Sequence, residues 1–161
     1  MHLPWVPALL ARAAPRARLL VLLRDPVERL RSGLAHRRRD RGRLTVEAWL
    51  DAVERGFYDQ SLQRWFAHFP REQILVQQYE HCVADPAAQL ARTYRFLGLE
   101  PFVPGGLGDR VNATRRTPDP LDDDVHRRLV ELYLPDVRAL ATDVPGLDPS
   151  AWPNFSSLAG D

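Results

Sequence analysis

Lysine is absent: all 22 basic side chains among the 161 residues are arginine, set against 21 acids for a net charge of +1. Cysteine is reduced to Cys82. A lone cysteine excludes a disulfide within the chain and any multi-cysteine zinc site, and it fits a reducing compartment. Long apolar runs are also missing. Nothing approaches the roughly 18 residues of a spanning helix. The N-terminal stretch MHLPWVPALLARAAPRARLL is broken by Pro and Arg instead of forming a signal-peptide core. A soluble, unexported, cytoplasmic chain is the expectation. With 45% apolar residues and a low net charge, the disordered and fibrous classes are excluded as well. Arginine-only usage beside many Ala and Pro reads as codon bias in a GC-rich, bacterial genome, which lowers the weight of any single arginine.

The near-neutral total hides a split. Met1 to Leu44 holds 11 arginines against Asp25, Glu28 and Asp40, or +8, whereas Thr45 to Asp161 holds 11 against 18 acids, or −7. The first quarter is built to meet an anion. Ala17 to Leu23 is a short continuous apolar run of the kind found in strands covered on both faces of a parallel sheet. A helix start follows: Asp25 can cap, Pro26 sits where a missing N–H costs nothing, and Val27, Leu30 and Leu34 continue at helical spacing. Further helices are expected from about Thr45 to Glu54 and from Tyr58 to His68, with Tyr58, Leu62, Phe66 and Phe69 as core. Gln73 to Tyr79 reads as a second buried strand. Asp85-Pro86 then starts a helix that ends at Gly98 and places Leu90, Tyr94 and Leu97 on one face. Strand, helices, strand, helix argues for an α/β domain with parallel strands. From Glu100 the composition shifts, with eight of the 14 prolines between Pro101 and Pro153. One more helix is expected at about Leu121 to Thr142, and a Pro-rich tail over 144–161 is expected to lie along the surface.

The densest chemical signal is Arg24-Asp-Pro-Val-Glu-Arg-Leu-Arg-Ser32-Gly-Leu-Ala-His36, where a parallel strand gives way to its helix. Ligands bind open α/β sheets at that edge. Arg24 offers a planar fork suited to two phosphate oxygens, Ser32 a neutral hydroxyl, and the helix N-terminus its backbone N–H groups. Arg29, Ser32 and His36 share one helix face. The same residues also fit a bland reading in which Arg24 pairs with Glu28, Ser32 is a small packing residue and His36 is solvated.

The pattern R-[DN]-P-x-x-R-x-x-S after a strand resembles the 3′-phosphate-binding segment of sulfotransferases that use 3′-phosphoadenosine 5′-phosphosulfate (PAPS). The order Gly56-Phe57-Tyr58, Leu62, Trp65, Phe69-Pro70, Gln73-Ile-Leu-Val76, Glu80, Asp85-Pro86 and Phe96-Leu97-Gly98-Leu99 is similar to that of heparan-sulfate-type and related bacterial members. The resemblance implies an α/β, P-loop-NTPase-like fold with a parallel sheet flanked by helices. It assigns Arg24 and Ser32 to the cofactor 3′-phosphate and implies no metal. Asn112-Ala-Thr-Arg-Arg-Thr-Pro118 falls where the family carries a basic loop, often N-x-[ST]-[KR]-G, over the cofactor phosphates. That placement makes Arg115 and Arg116 further cofactor-binding candidates, although Arg116 stands at the usual glycine.

Two family parts have no counterpart here: the first strand with its phosphosulfate loop, commonly P-[RK]-[ST]-G-[ST]-[ST], and the helix bearing the general base. Residues 1–161 therefore read as a partial sulfotransferase domain, from the 3′-phosphate strand onward, with the catalytic residues unassigned. The implied reaction moves a sulfuryl group from PAPS to a hydroxyl or amine acceptor, with carbohydrate among the candidates. A truncated or non-catalytic relic is the main alternative. The basic run Arg37 to Arg43 offers a polyanion or nucleic-acid reading, against which stands the lack of interleaved aromatics or a recognised module.

Overall fold

A computed structural model describes residues 3–41, 45–107 and 120–158, with the backbone alone for 37–41. In chain order the elements are α1 (Val6–Ala13), β1 (Leu19–Leu23), α2 (Pro26–Arg41), α3 (Val46–Glu54), α4 (Tyr58–Phe66), β2 (Ile74–Gln78), α5 (Tyr79–Ala84), α6 (Pro86–Leu97) and α7 (Asp123–Asp143). Single 3₁₀ turns lie at Arg71–Gln73, Pro149–Ala151 and Ser156–Leu158. β1 and β2 pair in parallel, in register from Leu19 opposite Ile74 to Leu23 opposite Gln78. The three helices between them form the crossover that parallel strands require. An α/β arrangement with a parallel sheet flanked by helices is thus present, carried by two strands among the described residues. No helix among those residues is long and apolar enough to cross a membrane.

The cap expected at Asp85 forms, and Thr45, expected only as the start of a helix, caps α3 as well. Thr45 Oγ1 accepts from Ala48 N at 3.2 Å, and Asp85 Oδ1 accepts from Ala88 N at 2.9 Å. Gly98, at φ +73°, closes α6 in the left-handed conformation that only glycine adopts freely. Pro135 lies inside α7 without ending it. An interior proline costs about 3 kcal/mol, and α7 buries Leu129, Tyr133, Val137 and Leu140 in return.

One face of the sheet carries the core. Val21 and Leu23 of β1 join Val27, Leu30 and Leu34 of α2, Leu62 and Trp65 of α4, and the buried side of α7 in one apolar cluster. The other face differs from the expectation of a strand covered on both sides. α6 packs over β2, where Gln77 Nε2 donates to Gln89 O at 3.1 Å and Thr93 Oγ1 donates to Gln77 Oε1 at 3.1 Å. Over β1 that cover stops, leaving Leu20 50% and Leu22 59% exposed.

The chain's two ends both pack on the core, the C-terminal one against the sequence reading. The Pro- and Arg-broken N-terminus folds as α1, with Pro7 buried and Val6, Leu10 and Ala11 packed on the core. The C-terminal stretch expected along the surface instead drives Trp152 and Phe155 into the core, each almost wholly enclosed. Burying one such side chain stabilises by about 1.5–3 kcal/mol. The prolines there shape turns around two aromatic anchors, so composition misreported the segment.

Candidate functional site

The β1–α2 turn is fixed from four directions. Asp25, completely buried, caps α2 through Oδ1, which accepts from Val27 N at 2.9 Å and Glu28 N at 3.2 Å. Asp25 N donates to Glu80 Oε1 at 3.1 Å, and Glu80 Oε2 accepts from Trp152 Nε1 at 3.0 Å. The carbonyl of Arg24 accepts from the Tyr58 hydroxyl at 2.9 Å. Asp25 Oδ2 accepts from both Asn154 N and Asn154 Nδ2, each at 2.9 Å.

This corrects the expectation that the N-terminus of α2 offers its backbone N–H groups to an external anion. Pro26 has none, and those of Val27 and Glu28 are already taken by Asp25. Any anion at this edge must be held by side chains.

Arg24 leaves the carboxyl end of β1 half-buried, with its guanidinium 5.0 Å from the centre of the Tyr79 ring. That position follows from the register. Leu23 lies opposite Gln78, so the next residues, Arg24 and Tyr79, emerge side by side, followed by Asp25 and Glu80. The Arg24–Glu28 pair of the bland reading exists only loosely, with Nη2 4.0 Å from Oε2. Glu28 is held more closely by Arg31 Nη1, at 2.6 Å from Oε1. Arg24 Nε is buried with no hydrogen-bond partner among the described residues. Arg29 Nε, on a residue committed to tethering helices, is buried in the same way, so what sets Arg24 apart is its place at the carboxyl edge of the strand.

Ser32 lies half-buried on α2, one turn beyond Glu28. Arg29, on the same helix, acts elsewhere, since its guanidinium donates to the Ala52 carbonyl at the end of α3. It also lies against the Tyr133 hydroxyl, which itself donates to Val53 O at 2.9 Å. Burial pushes the Tyr133 phenol up to about 12 and moves that of Tyr58 upward as well. Arg29 therefore ties α2 to α3 and α7, and the Arg29–Ser32–His36 face divides into a structural tether, a candidate anchor and an exposed histidine. Arg115 and Arg116 fall outside the described residues, as do the side chains of Arg37 to Arg43.

Sequence reasoning missed Tyr58, Tyr79, Glu80, Trp152 and Asn154 as the frame of the turn. The signal for Tyr79 and Glu80 was available, since two parallel strands in register place the residues that follow them together. No local pattern pointed to Trp152 or Asn154.

Residues 1–104 match the family model described as "Sulfotransferase family". The chain is 33% identical over 113 residues to mouse heparan sulfate glucosamine 3-O-sulfotransferase 3B1, covering 60% of this chain and 28% of that protein. Against the human protein of that name it is 28% identical over 169 residues, covering 80% and 42%. It is 26% identical over 117 residues to human bifunctional heparan sulfate N-deacetylase/N-sulfotransferase 2, covering 61% and 13%. The crystal structure of a sulfotransferase from Alicyclobacillus acidocaldarius shares the fold with a TM-score of 0.66 at 24% identity, over 86% of this chain and 59% of that one. The chain spans less than half the length of the curated relatives it matches.

Proposed function

Because the chain belongs to the sulfotransferase family, we propose that it forms the 3′-phosphate-binding part of a domain that moves a sulfuryl group from PAPS to a hydroxyl or amine acceptor. One observation carries the reading: Arg24 stands half-buried at the carboxyl edge of a parallel strand, only loosely paired with Glu28, on a turn where its own carbonyl and both oxygens of Asp25 are engaged. Arg24 and Ser32 are the residues that would hold the 3′-phosphate, and their donor set suits an anion with several acceptor oxygens. Arg115 and Arg116 are proposed to add charge over the cofactor phosphates. PAPS, when bound, supplies the activated sulfuryl group. What this chain's own residues do is hold and orient the donor, the first of three demands that also include neutralising the leaving phosphate and removing the acceptor proton.

Groups meeting the other two demands are proposed to lie outside residues 1–161. The open face of β1 at Leu20 and Leu22 supports this partial-domain reading, because parallel strands are ordinarily covered on both sides. For the acceptor, the names of the relatives favour a glucosamine-containing polysaccharide.

Titration with adenosine 3′,5′-bisphosphate, comparing the wild type with Arg24→Ala, tests the assignment. The variant should lose about 1–3 kcal/mol of binding free energy, the scale of a charged hydrogen bond. Equal affinities would overturn it.

A further inference from the structure

Arg24 and Ser32 stand on different elements, one at the end of β1 and the other two turns into α2. Their separation is therefore set by the angle at which the chain turns between strand and helix. Two groups that share one phosphate must be held to within about 0.5 Å of the productive geometry. Asp25 is the pivot of that turn, and its carboxylate faces two ways. Oδ1 is engaged by the helix it caps, while Oδ2 depends on Asn154, whose N and Nδ2 are both 2.9 Å away. The carboxamide of Asn154 is held at its other end too, with Oδ1 2.6 Å from His126 Nε2 on α7. The apolar anchoring of this C-terminal stretch belongs to Trp152 and Phe155, while Asn154 between them is half-buried and contributes hydrogen bonds.

Resting on the 3′-phosphate reading above, we propose that Asn154 is a positioning residue of the anion site. By closing the second oxygen of Asp25 and tying it to α7, it fixes the β1–α2 turn and so aims Arg24 at the phosphate that Ser32 also meets. Without Nδ2, Asp25 Oδ2 keeps a single donor, the carboxylate gains freedom to rotate, and the adjacent Arg24 is no longer held in one direction.

The test compares adenosine 3′,5′-bisphosphate with adenosine 5′-phosphate, which differs only in lacking the 3′-phosphate. ¹H–¹⁵N NMR titrations of the protein read affinities into the millimolar range. Asn154→Ala should weaken bisphosphate binding about five- to tenfold, the scale of one ordinary hydrogen bond, while the monophosphate affinity stays within about twofold. A variant that is merely less folded would lose both nucleotides in proportion. Should Asn154→Ala not fold, His126→Ala releases the carboxamide while leaving both bonds to Asp25 in place, and it should show the same selective loss at smaller size. Proportional losses, or an intact bisphosphate preference in a folded variant beside its loss in Arg24→Ala, overturn the positioning role. A wild type that binds both nucleotides alike, unaffected by Arg24→Ala, overturns the 3′-phosphate reading itself.

Discussion

Asp25 and Asn154 are 129 positions apart in the chain, yet the Asn154 side-chain and backbone N–H groups both end on one carboxylate oxygen of Asp25 at 2.9 Å. The turn that offers Arg24 is thereby closed by the far end of the polypeptide. Asp25→Asn would set an amide donor against these N–H groups or against those of Val27 and Glu28. Leaving the two donors on that side unmade should cost about 2–4 kcal/mol, read as a lower urea midpoint at unchanged slope.

Tyr58 ties the same turn from another side, and its phenol predicts an alkaline limb in stability. Burial raises the phenols of Tyr58 and Tyr133 above the usual 10, that of Tyr133 to about 12. The folded chain then keeps protons that the unfolded chain releases near pH 10. Their contribution is constant below pH 10 and is lost as pH rises through the folded values. Tyr58→Phe should cost about 1 kcal/mol at neutral pH, from the lost bond to Arg24 O. It should also flatten the decline above pH 10 in denaturation curves taken across pH.

Adjacent leucines of β1 should respond in opposite ways. Leu23 is enclosed in the core, so Leu23→Ala should destabilise by about 2–5 kcal/mol. Leu22 faces the open side, and Leu22→Ser should cost less than about 1 kcal/mol in this chain. Denaturation of the two variants side by side checks this, and a large loss for Leu22→Ser would mean that the face is covered.

Gly56 marks a close approach. A Cβ there would stand 2.5 to 2.7 Å from three atoms of the Tyr133 side chain, which is fixed by its bond to Val53 O and by edge contact with Phe57. Gly56→Ala should cost about 1–3 kcal/mol through overpacking, and Tyr133→Leu in the same chain should recover part of that loss. Full additivity of the two changes in chemical denaturation would contradict the contact.

The sequence determined much of this by local means. The apolar runs that became β1 and β2, the caps at Thr45 and Asp85, the left-handed stop at Gly98, and the placing of Arg24 at a strand end all follow from short-range sterics and hydrogen bonding, which a window of a few residues contains. Residue order likewise carried the family resemblance and the candidacy of Arg24 and Ser32. Tertiary structure decided the rest. Arg29 became a tether because α3 and α7 brought Ala52 and Tyr133 to it, and the helix N-terminus ceased to be an anion site because Asp25 filled it. The Pro-rich end became part of the core and the closure of the turn because Trp152 and Phe155 join the apolar cluster and because Trp152 and Asn154 meet partners on α5, α7 and the β1–α2 turn. Burial and long-range hydrogen bonds depend on what arrives from distant chain, and that information resides only in the assembled packing.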